Sequence, residues 1–242
     1  MDSAGYFLVI ATGIVVVFIS LALDFLWVRC IPGRFFYYFL RAPGVVVHEC
    51  AHVLGCLITG AKIRKVVLFS KNGGSVTHSP PLIPVIGDVV ISTAPLFCIP
   101  LILSWCTWLF STYLGCIFPA LPLTIDSPDT VILTGGAILG TITQNLVVRF
   151  NAWFLLYLYL VLSLILSAAP SIQDMKNAAI GCCILVITSI FVLWSQYPLA
   201  VSILSEITRI IGMGFALGVG FGLIALVLSS PLIVICLYRH TA

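Results

Sequence analysis

From Tyr6 to Trp27 the chain runs through an apolar stretch whose only charge is Asp24, and comparable stretches recur to the C-terminus. A helix rises 1.5 Å per residue, so about 20 such residues match the hydrocarbon thickness of a bilayer. Of the 242 residues, 61% are hydrophobic and 8% charged, where a soluble domain carries roughly 25% charged residues. Polar surface is too scarce to enclose a core in water, so the composition demands a lipid bilayer as partner. A formal charge of +3, dispersed along the chain, offers no basic stripe for nucleic acid.

Six segments qualify as spans, at about 5–27, 42–61, 86–112, 150–169, 178–197 and 212–237. The expected fold class is therefore an all-α polytopic membrane protein, a single domain over 1–242. The first run exceeds the 7–15 residues of a signal-peptide core and has no basic residue before it, so it reads as an uncleaved span. Nine cysteines, an odd number and mostly within apolar runs, do not form a disulfide framework. Cys56, Cys98, Cys106, Cys182, Cys183 and Cys236 read as small core residues. Between the first two spans, CIPGRFFYYFLRAPG has the aromatic and basic mixture of a membrane interface. After the second, KIRKVVLFSKNGGSVTH alternates and is punctuated by Asn72-Gly73-Gly74, which predicts a small membrane-associated β-hairpin.

The stretch 117–149 starts as a loop containing Pro119, Pro122, Asp126, Pro128 and Asp129. Its apolar second half reads as an interfacial or re-entrant helix rather than a seventh span. Six spans place Lys62, Arg64, Lys65, Lys71, Lys176 and Arg239 on one side of the membrane, against Arg29, Arg34, Arg41, Arg149 and Arg209 on the other. The cluster of basic residues in the hairpin puts the hairpin and both termini in the cytoplasm of a multi-pass cell-membrane protein.

The second segment contains Val45-Val46-Val47-His48-Glu49-Cys50-Ala51-His52. Residues four apart share a helix face, so His48 and His52 can reach one zinc ion. Glu49 beside them can take a proton from a metal-activated water. Such a pattern arises by chance in soluble chains, but here the setting is apolar. Three ionisable side chains there carry several kcal/mol of desolvation cost unless a metal, a water cavity or interhelical hydrogen bonds compensate.

A catalytic zinc takes a third protein ligand and keeps one position open for water. Asp2, Asp126 and Asp129 fall in tails or loops, Asp24 ends the first span and Asp88 opens the third. Asp174 differs. The chain from Phe150 to Gln196 is almost continuously apolar, broken only around Pro170-Ser171-Ile172-Gln173-Asp174-Met175-Lys176-Asn177. A ligand in a submerged turn is the favoured reading, and a cap on the fifth helix beside Lys176 the alternative. His52 precedes Lys62 by a helical rise of roughly 15 Å, so the Asp174 turn has to dip inward from the hairpin-bearing face.

Taken together these features resemble the site-2 protease family of intramembrane zinc metalloproteases, in particular its compact six-span archaeal and bacterial members. The likeness extends over most of the chain: HECAH, GAKIRKVVLF with a glycine-containing hairpin behind it, STAPLF in the third span, and the distal APSIQD. It implies that His48, His52 and Asp174 bind one zinc per chain, with Glu49 the general base that hydrolyses peptide bonds of transmembrane substrates. Where that family has an asparagine before the distal proline and a glycine after the aspartate, this chain has Ser167 and Met175.

Competing readings attach to other residues. His78 is a rival ligand, or a surface residue at a hairpin end. Cys50 is expected to pack. Glu206 in LSEITRI would supply the third ligand of a membrane metalloprotease of the prenyl-protein type. Gly214, Gly218 and Gly222 form a small-residue stripe for close helix packing, or alternatively for a homodimer. A non-catalytic zinc-containing scaffold or chaperone is the reading outside enzymes.

Overall fold

The computed structural model describes residues 3–30, 34–70, 73–118, 128–168 and 171–241. Asp2, Lys71, Asn72, Pro119, Pro122, Asp126 and Pro170 lie outside the described residues, as do the side chains of Asp129, Cys182 and Cys236 and the surroundings of Gly214. The chain is mostly helical: α1 (Ser3–Cys30), α2 (Arg34–Thr59), α3 (Pro84–Tyr113), α4 (Pro128–Thr143) running into a π-helical turn (Gln144–Val148), α5 (Ala152–Leu166), α6 (Ile172–Ser195) and α7 (Pro198–Thr241). Strands β1 (Ile63–Val67) and β2 (Ser75–His78) pair antiparallel between α2 and α3. Tyr6–Arg29, Phe35–Thr59 and Pro84–Tyr113 are each long and apolar enough to cross a membrane, which is the character of a membrane protein. Gly136–Val148 and Ala152–Leu166 are shorter apolar helical stretches.

Helix α5 is the hub. AWFLLYLYLVLSLIL is apolar all round, and such a helix belongs in a protein core or in lipid rather than in water. Phe154, Tyr157, Val161, Ile165 and Leu166 are indeed almost inaccessible, packed with Leu23 and Trp27 of α1, Ile99 and Leu103 of α3, and Phe221 and Ile224 of α7. Polar side chains inside this core are hydrogen-bonded, as apolar surroundings require. Ser20 Oγ donates to the Ile165 carbonyl at 2.6 Å, and Trp27 Nε1 to Ser229 Oγ at 2.6 Å.

Gly218 and Gly222 admit Val16 and Ile19 of α1, so the small-residue stripe of α7 serves close packing within the chain. Helix α7 begins at Pro198, well before the expected start near residue 212. Gln196 turns the chain with φ 52, and no breaker follows Pro198 for several turns. Glu206 and Arg209 therefore face each other one helical turn apart. Cys183 and Cys50 are exposed rather than packed in the core.

Prolines inside these helices each leave a carbonyl four residues back without its amide partner, and at Pro43 and Pro231 a side chain fills the gap. Pro43 interrupts α2, and the Tyr159 hydroxyl of α5 donates to the Phe39 carbonyl at 2.9 Å. Pro231 interrupts α7, and Ser230 Oγ donates to the Val227 carbonyl at 2.7 Å. Next to Pro43, the Gly44 amide donates to Ser163 Oγ at 2.9 Å. A Cβ on Gly44 would fall on the Ser163 carbonyl, so only glycine lets α2 and α5 approach this closely. Gly44→Ala is expected to push the helices apart and cost about 1–3 kcal/mol. A thermal melt unchanged from wild type would contradict that.

Candidate metal centre

His48, Glu49 and His52 occupy the middle of α2, accessible to only 9%, 7% and 7%. Each imidazole is anchored through Nδ1 to a backbone carbonyl: His48 to Ser167 at 2.6 Å, His52 to Ile91 at 2.8 Å. A carbonyl only accepts, so both Nδ1 atoms carry the proton and both Nε2 atoms present lone pairs. Those two Nε2 atoms stand 3.1 Å apart. A tetrahedral zinc with bonds near 2.0–2.1 Å sets its nitrogen ligands roughly 3.3 Å apart. Two lone pairs facing each other at this distance repel unless a cation, a metal or a proton, lies between them.

Both anchoring carbonyls are products of local sequence. Ser167 caps the C-terminal end of α5, where the last carbonyls have no amide to accept. Ile91 lies four residues before Pro95 of α3, and Pro95 has no N–H to give it. The proline in STAPLF thus frees the acceptor that orients His52. Pro95→Ala restores an amide that competes for the Ile91 carbonyl, and it should weaken metal binding about tenfold, the low end for losing an outer-shell partner. Unaltered zinc affinity in that variant would refute the role.

Asp174 completes the group. Its Oδ2 is 3.6 Å from His52 Nε2, and ligand atoms of His48, His52 and Asp174 all lie within 4.8 Å of one another, so the three could hold a metal ion. The expected alternative, a helix cap, is present as well. Ser171 Oγ accepts from the Asp174 amide at 3.1 Å, while Asp174 Oδ2 accepts from the Ser171 amide at 3.1 Å and its hydroxyl at 2.6 Å. This capping box and the approach to His52 use the same carboxylate: the cap holds it at the start of α6, facing the histidines. One turn on, Asn177 Nδ2 donates to Ser92 Oγ at 3.0 Å, tying α6 to α3 beside Ile91.

The hairpin covers the remaining side. A Cβ on Gly74 would overlap the Glu49 side chain, so the bare backbone of the turn lies directly on Glu49. Glu49 makes no hydrogen bond among the described residues, which leaves its oxygens available to a proton donor.

Other candidates stand elsewhere. His78 ends β2 opposite Ile63 and points Nδ1 at the Ser79 carbonyl at 2.9 Å. Glu206 is exposed and bonded to Arg209 at 2.5 Å, outside the cluster. Cys50 faces outward from the same helix. Sequence reading missed Ser171, Pro95 with Ile91, and Gly74 as supports. S-x-x-D ahead of an apolar run signalled the first; the others follow only from which helices meet. No family model, curated protein or solved structure gives a significant match to this chain, so what the centre does is read from its geometry.

Proposed function

We propose that the chain is a zinc-dependent endopeptidase of the site-2 protease kind, cutting transmembrane segments of membrane-protein substrates within the bilayer. The observation that carries this reading is the His48–His52–Asp174 cluster with buried Glu49 directly beside it. In this reading α5, α6 and α7 join α1, α2 and α3 to give six spans in a cell membrane, with both termini cytoplasmic. The second half of the short α5 is packed inside the protein, while Trp153, Leu155 and Leu156 near its start are exposed.

His48, His52 and Asp174 would hold the ion, and bound zinc supplies a water of lowered pKa and a Lewis acid for the scissile carbonyl. Glu49 accepts the proton of the attacking water and returns it to the departing amine nitrogen. One water is consumed, and the amide bond ends as a carboxyl terminus and an amino terminus. Helical peptide groups are already hydrogen-bonded, so a substrate must unwind locally first. Each strand of the two-stranded hairpin has an unpaired edge among the described residues, which supports docking of the unwound segment as an added strand. Proline or alanine at Val66–Phe69 should then slow cleavage, and intact cleavage would argue against this docking mode.

The test is purified protein in bilayers with a transmembrane reporter. Cleavage should vanish on chelation and return with zinc. Bound zinc without Glu49-dependent cleavage of any transmembrane reporter would leave a zinc-containing scaffold or chaperone instead.

A further inference from the structure

A cleft of about 180 Å³ opens between the first turns of α2 and the hairpin. Tyr37, Tyr38, Arg41 and Val45 form its helical wall, with Ser70 and Gly73 opposite. Among the described residues that line it, Arg41 alone is charged. Arg41 Nη1 donates to the Tyr37 hydroxyl at 2.6 Å and stands 3.3 Å from Asp24 Oδ1, which the same hydroxyl bonds at 2.7 Å. This network engages one nitrogen of a group that offers five N–H donors in a planar fork. The Nε–H is closed off from solvent and has no acceptor among the described residues, while 27% of the side chain stays accessible. Asp24 offsets the charge enough for the guanidinium to sit in apolar surroundings, and the rest of the fork can meet a second carboxylate.

The position of the cleft ties it to the metal centre. Arg41, Val45 and Glu49 succeed one another at intervals of four along one face of α2. Gly73 lines the cleft, and its neighbour Gly74 lies on Glu49. From Arg41 to Glu49 the helix rises about 12 Å, the reach of about three to four residues of extended chain. We propose that this cleft is a substrate subsite for an Asp or Glu side chain of the polypeptide being cut, about three to four residues from the scissile bond. A chain being cut beside Glu49 would run past this cleft, which favours a peptide carboxylate over a lipid phosphate.

The assignment rests on the endopeptidase reading, and the test separates the two. A single Glu, against Gln at the same place, is walked along a transmembrane peptide and presented to the full chain, zinc-loaded, in nanodiscs of neutral lipid. The Glu peptide should exceed its Gln counterpart by about tenfold in kcat/KM, mainly through KM, only at the third or fourth position from the bond. Binding of the same peptides to the Glu49→Gln protein, read by fluorescence anisotropy, should show the same preference without turnover. The pair Asp24→Asn with Arg41→Gln removes the ion pair without stranding either charge, and should abolish the preference at unchanged zinc content. Should that variant misfold, the peptide walk and the binding series decide alone. Preferential binding without cleavage by wild type overturns the endopeptidase reading and keeps the cleft. Cleavage with no preference for Glu, or a preference that survives in the double variant, overturns the cleft. Loss of the preference when phosphatidylglycerol replaces neutral lipid assigns it to lipid phosphate and overturns the peptide assignment.

Discussion

Glu49→Gln is expected to keep its zinc and lose about 10²–10⁴ in kcat on a transmembrane reporter, the usual contribution of a positioned general base. Glutamine has the shape of glutamate, so it fits beneath Gly74 and leaves the histidine anchors to Ser167 and Ile91 in place. What it lacks is a basic oxygen to take a proton. The variant therefore separates chemistry from architecture, which Glu49→Ala would not, because that change also empties the space under the hairpin. Zinc content and single-turnover cleavage, measured on one preparation, check the prediction. Cleavage within tenfold of wild type would remove Glu49 from the mechanism.

His52→Ala should weaken zinc binding more than about 100-fold, beyond the 10–100-fold typical of outer-shell partners. It removes one nitrogen ligand and also strands the Ile91 carbonyl, whose amide partner Pro95 has already deleted. An unpaired buried acceptor adds about 1–3 kcal/mol of destabilisation, so a lower melting temperature should accompany the loss of metal. Asp174→Asn divides the two uses of that side chain. Asparagine can still accept from Ser171 and cap α6, but it is neutral and a poorer ligand. Zinc affinity should fall sharply while the melt in the absence of metal stays close to wild type. Undiminished zinc affinity in Asp174→Asn would reduce that residue to a helix cap.

Much of this was legible along the chain because period and composition are local signals. Each apolar run overlaps a described helix, Asn72-Gly73-Gly74 announced the hairpin, and His48 with His52 four residues apart required only a helix to share a face. Asp174 was accessible as a polar break in an apolar stretch, although its capping and its approach to His52 read as rivals. In the structure they coexist, since one carboxylate can do both. Helix α7 extends ahead of the span expected from about residue 212, because Glu206 and Arg209 form an i, i+3 pair on it and charge alone does not end a helix. What stayed hidden depends on which helices meet. A proline signals a freed carbonyl, but nothing in the sequence of α3 says that His52 receives it. Gly44 and Gly74 are visible as glycines, yet the Ser163 carbonyl and the Glu49 side chain that demand them lie on other elements.

The centre itself is tested most directly by zinc K-edge X-ray absorption on the purified full-length protein. One zinc per chain with two imidazole nitrogens near 2.0–2.1 Å and oxygen in the remaining shell, the imidazole signal lost in His52→Ala, is the result this structure leads us to expect. A protein that holds no zinc at equilibrium, or one whose zinc shows sulfur scattering near 2.3 Å from its cysteines, would contradict it.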